Sequence, residues 1–169
     1  VNRRDWTVSA NLDLAPHSRV SPFLFGTLEY SFQRRIDQRF SGGAGGKLTF
    51  YRTPRGLLDL SGAALAERTV PRDQAIADTE ILARWSVRGR ARRSFDEGRL
   101  ALATELLYVP AFRDPADFTL RSTSSLSLSL SERISLRVSF VDDYDAGAIE
   151  RGARTNNDGQ LILSVVSRF

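Results

Sequence analysis

The 169 residues include no cysteine and a single histidine, His17, which excludes disulfides, thiolate metal sites and imidazole clusters. Basic residues number 24 against 20 acidic ones, a formal charge of +4, and all but Lys47 are arginines spread through every segment, whereas a nucleic-acid binder gathers them on one face. No apolar run reaches the ~20 residues of a membrane helix, a test blind to strands that show lipid only alternate residues.

The first predicted strand runs from Trp6 to Leu14, with Trp6, Val8, Ala10, Leu12 and Leu14 apolar and Asp5, Thr7, Ser9, Asn11 and Asp13 polar. Residues 15–22, with Pro16 near one end and Pro22 at the other, read as a turn. A second run sets Leu24, Leu28, Tyr30 and Phe32 against Thr27, Glu29, Ser31 and Gln33, with Phe23 and Phe25 crowding its start. The third places Phe40, Ala44, Leu48 and Phe50 opposite Arg39, Ser41, Lys47, Thr49 and Tyr51. Its Gly42–Gly46 run lacks the Lys-Ser/Thr ending and the following helix of a phosphate loop, and reads instead as tight curvature or close backbone approach.

After the turn Thr53-Pro-Arg-Gly56, Leu58, Leu60, Ala64 and Ala66 oppose Asp59, Ser61 and Glu67, and residues 68–75 read as a polar loop. The longest strand then sets Ala77, Ile81, Ala83, Trp85 and Val87 against Asp78, Glu80, Arg84 and Arg88, and Asp96-Glu-Gly98 turns it back. Leu100, Leu102, Leu106 and Tyr108 alternate with Arg99, Ala101, Ala103, Glu105 and Leu107, and residues 109–116, with Pro110 and Pro115, form the next loop. From Phe118 to Leu130 leucines alternate with Ser, Thr and Arg121; Ser131-Glu-Arg133 reverses the chain, and Ile134, Leu136, Val138 and Phe140 oppose Ser135, Arg137 and Ser139. Residues 142–154 read as a polar loop, and a last strand puts Leu161, Leu163, Val165 and Phe169 on one face. The pattern is all-β, an antiparallel up-and-down meander of roughly nine strands in one domain spanning the whole chain, forming most of a transmembrane barrel.

Alternation alone does not say which face meets the solvent. Strands of near-uniform length, aromatics gathered near strand ends, and the closing strand ending on Phe169 favour lipid outside. That closing strand resembles the C-terminal signal by which bacterial outer-membrane barrels are recognised for assembly, which makes Leu161, Leu163, Val165 and Phe169 the candidate signal and the assembly machinery and outer-membrane lipid the expected partners. Short turns fall at one end and longer loops at the other, as outer-membrane barrels require. The same count puts Val1 outside the cell, so an odd number of N-terminal strands, one or three, is expected to be missing. The alternative is a soluble barrel with its apolar faces inside, binding a small apolar ligand.

The order of features from Trp85 to Phe169 carries a resemblance: the Asp-Glu-Gly turn, Leu107-Tyr-Val-Pro110, the run Leu126-Ser-Leu-Ser-Leu-Ser-Glu-Arg-Ile-Ser-Leu-Arg-Val-Ser-Phe140, Asp142-Asp-Tyr-Asp145 and a Thr-Asn-Asn-Asp strand ending in Phe. It resembles a family of salt-induced outer-membrane proteins, a domain of unknown function, and the likeness extends back to Ser21-Pro-Phe-Leu-Phe-Gly26. The resemblance implies a bacterial outer-membrane barrel and supplies no catalytic residues.

In that reading the lumen is lined by Glu29, Arg39, Lys47, Asp59, Asp78, Glu80, Arg84, Arg88, Glu105, Arg121 and Arg137, with Glu67 and Arg99 beside them. Both signs are present, so ion pairs filling a narrow lumen are expected ahead of a charge-selective pore. A lipid-hydrolysing barrel would need a base within reach of a nucleophile, and His17 sits in a proline-bounded turn, so neither an enzyme nor a cofactor is expected. Asp142, Asp143 and Asp145 could offer oxygen ligands to a divalent cation but read first as a solvated acidic loop.

Overall fold

The computed structural model describes residues 5–32, 35–71, 79–131 and 133–167. They form one antiparallel sheet in sequence order: β1 (Asp5–Asp13), β2 (Val20–Ser31), β3 (Ile36–Thr53), β4 (Gly56–Pro71), β5 (Ile81–Phe95), β6 (Leu100–Pro110), β7 (Phe118–Ser129), β8 (Ile134–Asp145) and β9 (Asn157–Ser167). The predicted all-β meander is borne out, and the sheet is curled like a barrel wall with β1 and β9 as its two edges. Each polar-apolar row survives pairing because an antiparallel register keeps facing residues on one side. Val8 pairs with Leu28 and Leu28 with Phe40 on the outer face, while Thr7 pairs with Glu29 and Glu29 with Arg39 on the inner one.

Curvature comes from glycine and bulges. Gly43 and Gly45 point inward where β4 passes so close that a Cβ would strike Ala64 O and Leu65 Cα at the first, and Gly62 O and the Phe23 ring at the second. A register shift between Ile36 and Gln38 turns Ile36 to the inner side, where it is fully buried. The shift between Thr49 and Tyr51 does the opposite. Simple alternation groups Tyr51 with Lys47 and Thr49, but the bulge pairs it with Leu58 on the outer face and leaves it half exposed.

Several predicted loops are shorter than their polarity implied. Pro22 lies inside β2, paired with Gly46, so the β1–β2 turn ends at Arg19. Proline is tolerated there because its N faces the β1–β2 turn, just past the Asp13–Phe23 pair where the β1 ladder ends, so no ladder bond to β3 is lost. β4 continues to Pro71, β6 to Pro110, and β8 takes in Asp142, Asp143 and Asp145. In each case the added residues lie in register with the neighbouring strand.

The connections 54–55, 96–99 and 130–133 are short and share one end of the sheet; 111–117 and 146–156 are longer and share the other. Residues 14–19 and 32–35 depart from that segregation. The long β8–β9 connection reaches across the mouth, with Gly152 against Arg35 of the β2–β3 turn and Ala148 fully buried.

Outside, a row of rings crosses four strands near the long-loop end: Trp85 meets Tyr108 edge-on at 5.8 Å, Tyr108 meets Phe118 at 5.4 Å, and Phe118 stacks on Tyr144 at 5.2 Å. Trp6 and Tyr30 stack at 6.1 Å on β1 and β2.

Candidate functional site

The inner face gathers charge where the outer face has leucine. Arg39 on β3 is buried among three carboxylates: Asp145 of β8 at 2.9 Å, Glu29 of β2 at 3.7 Å and Glu67 of β4 at 3.8 Å. Its Nε also donates to Thr69 Oγ1 at 3.0 Å. A guanidinium is suited to this position because its planar fork can serve several acceptors at once while losing little hydration.

Arg84 on β5 extends the network. Its Nε donates to Glu67 Oε1 at 3.0 Å, its Nη2 donates to both Asp117 carboxylate oxygens at 3.0 and 2.8 Å, and its Nη1 donates to the Asp117 backbone carbonyl at 2.9 Å. That single side chain ties the β6–β7 loop to the wall. Asp145 does the same for the β8–β9 loop: it holds Arg151 at 2.6 Å and accepts the Gly147 N–H at 3.1 Å. The two longest described connections are thus anchored from inside by buried ion pairs, and a buried ion that loses its partner costs several kcal/mol.

Three more pairs line the inner wall. Arg121 on β7 holds Asp143 on β8, Lys47 on β3 holds Asp13 on β1, and Arg90 on β5 grips Asp59 on β4 through two bonds of 2.9 and 2.8 Å. Between the long-loop network and these pairs lies a cavity of about 240 Å³, walled by Thr27, Ser41, Ser61 and Ser86 and by an apolar patch that includes Phe23, Phe25, Leu65 and Val109.

Of the residues singled out from the sequence, Glu29, Arg39, Lys47, Asp59, Glu67 and Arg84 are buried on this inner face, and Arg88 and Arg121 line the cavity. Glu105 stands opposite Arg90 on the inner side of β6, and Arg137, exposed, donates to Ser127 Oγ at 3.0 Å. Glu80 does not belong to this face. It precedes β5, whose ladder with β4 begins at Ile81, and it is exposed. Arg99 sits in the β5–β6 turn beside Asp96, also exposed. Asp78 and Phe169 lie outside the described residues. Leu161, Leu163 and Val165 are on the outer side of β9, 76, 69 and 71 % exposed.

Asp142, Asp143 and Asp145 are not a solvated acidic loop. Strand alternation sends Asp142 outward and the other two inward, where each is taken by arginine. No group of three or more His, Cys, Asp or Glu able to hold a metal occurs among the described residues. His17 is exposed in the β1–β2 turn.

Reading from sequence missed Asp117, Asp145, Arg151, Arg90 and Asp13 as network members. Arg90 and Asp13 obey the same alternation as their neighbours and could have been found by it. Asp117, just before β7, continues the polar row of Thr119 and Arg121 and could have been found in the same way, whereas Arg151 lies in a connection, where no periodicity says which way a side chain points.

No curated protein and no solved structure matches the chain. A family model described as "Protein of unknown function, DUF481" matches residues 1–169, and the chain belongs to that family.

Proposed function

We propose that this chain forms most of a bacterial outer-membrane β-barrel of structural or small-pore type, with no catalytic role. One observation carries the reading: the two faces are reversed relative to a barrel in water. Apolar side chains predominate on the outer side of the strands, and Leu12, Leu24, Phe40, Leu60, Leu106, Leu126, Phe140 and Leu163 are all exposed. Most charged strand residues are inside, with Arg68, Arg93 and Asp142 among the outward exceptions. Monomers in water rarely expose contiguous apolar patches beyond a few hundred Å², whereas a lipid-facing wall requires one.

Two further features support it. The row Trp85, Tyr108, Phe118 and Tyr144 sits where an aromatic girdle meets the headgroups, because these rings have an apolar body and, in Tyr and Trp, a polar edge. The longer loops share one end, which in this reading faces outward, and the short turns face the periplasm. β1 and β9 run in the same direction, so an antiparallel closure calls for an odd number of further strands. The outer face of β9, with Leu161, Leu163 and Val165, would present the assembly signal together with Phe169. A stress-related role under salt rests on the family resemblance alone.

The soluble alternative, a barrel with a small apolar ligand inside, would have to hide the outer rows by some other cover. Extraction separates the two. The protein should stay with membranes through salt and alkaline washes, come out in detergent, and migrate faster on gels unheated than boiled. A stable monomer in plain buffer would sink the membrane reading.

A further inference from the structure

We propose that the interior cavity binds a small organic carboxylate, with Arg88 as its counter-ion. The charges around this cavity are otherwise matched. Glu29 and Glu67 are held by Arg39, Glu67 also by Arg84, and Asp143 by Arg121. Arg88 lines the same cavity, and its guanidinium has neither a hydrogen bond nor a carboxylate within 4.0 Å among the described residues. The nearest acids by register are already engaged or face another residue: Asp59 is gripped by Arg90, and Glu105 stands opposite Arg90. Arg88 itself faces Ser61 and Leu107, which carry no charge.

The rest of the wall selects the body of the ligand. Phe23 and Phe25 lie 6.1 Å apart, tilted at 42°, and with Leu65 and Leu107 make one side of the cavity apolar. Water gains little against such a wall, and a guanidinium fork is matched to two carboxylate oxygens. The volume, about 240 Å³, is far more than a single water needs. It suits a carboxylate on one aromatic ring or a short aliphatic chain and is small for larger ligands. The site concerns the interior only, so it stands whether lipid or water lies outside.

The test uses 4-fluorobenzoate and its neutral analogue 4-fluorobenzamide, each titrated into the purified whole chain, in detergent where extraction requires it, and followed by fluorine NMR. We expect saturable binding of the acid and about tenfold or weaker binding of the amide, the discrimination expected of a hydrogen-bonded charge. Arg88→Gln should lose about tenfold or more for the acid and little for the amide. Arg92→Gln, two steps further along the same inner row, should stay within about twofold of wild type by the same standard. Absence of saturable binding by the wild type, equal binding of acid and amide, or an Arg88→Gln variant that binds the acid as wild type does would each overturn the proposal. The acid-amide comparison needs no variant, so a misfolded mutant does not blunt it.

Discussion

Arg39 of β3 and Asp145 at the end of β8 meet at 2.9 Å although 106 residues separate them along the chain. This contact spans the concave side of the sheet and is where the curl is held from within. Arg39 also faces Glu29 and Glu67, so Arg39→Met takes a buried partner from three carboxylates at once, with Arg84 still on Glu67 and Arg151 still on Asp145, while Asp145→Asn leaves Arg39 with two carboxylate partners. We expect Arg39→Met to cost about 3–5 kcal/mol and Asp145→Asn clearly less. The double variant should fall short of the sum by about 1–3 kcal/mol, as residues in one network do. Urea titration of the folded protein measures all three, and simple additivity would mean that the pair does not couple.

How much of this was legible beforehand depended on whether a residue lay in a ladder. Strand alternation assigned Leu126 and Leu128 to one face and Ser125 and Ser127 to the other, and the β6–β7–β8 register keeps them there. It failed where the period itself breaks, as at the bulge that turns Tyr51 out and the one that turns Ile36 in. It failed again at Asp142 to Asp145, because a run of acids looks like a solvated loop until arginines from β3 and β7, distant in sequence, supply the partners. Pairing between distant strands is a property of the curl, and no local window contains it.

Arg84 holds the β6–β7 loop through three bonds to Asp117, the longest of them 3.0 Å, and reaches Val109 of β6 with a fourth at 3.5 Å. Arg84→Met should therefore free that loop and leave the strands in place. Arg113 stands exposed in it, a ready site for trypsin. Cleavage after Arg113 in the folded protein should speed up by about tenfold or more if the anchoring is worth at least 1.4 kcal/mol. Asp117→Asn keeps the backbone carbonyl bond and should have a smaller effect. Equal cleavage of wild type and Arg84→Met would mean that other contacts hold the loop.

The lipid assignment makes a prediction opposite to ordinary surface chemistry. Leu126 is 45 % exposed on the outer face of β7, and in water replacing such a residue by arginine is close to neutral, within about 0.5 kcal/mol. Facing hydrocarbon, Leu126→Arg should cost about 2–4 kcal/mol near the bilayer centre. Ser125→Arg, one residue away on the inner side, serves as the comparison. Refolding titrations into lipid vesicles give the two values. If Leu126→Arg is neutral there, the outer wall does not face lipid.

Gly43 and Gly46 provide a matched pair on β3. A methyl at Gly43 would be driven into Ala64 O and Leu65 of β4, while a methyl at Gly46, on the outer side, meets nothing within 4 Å. β4 backbone cannot retreat without breaking the ladder that runs from Ser41–Glu67 to Lys47–Ser61. Gly43→Ala should therefore destabilise by about 1–3 kcal/mol, the ordinary cost of overpacking. Gly46→Ala should be neutral or stabilising by up to about 1 kcal/mol, because it restricts the unfolded chain without a clash. Because both substitutions add the same group to the same strand, their difference isolates the close approach of β3 and β4. Equal urea midpoints would show that the inner glycine is not what lets the sheet bend there.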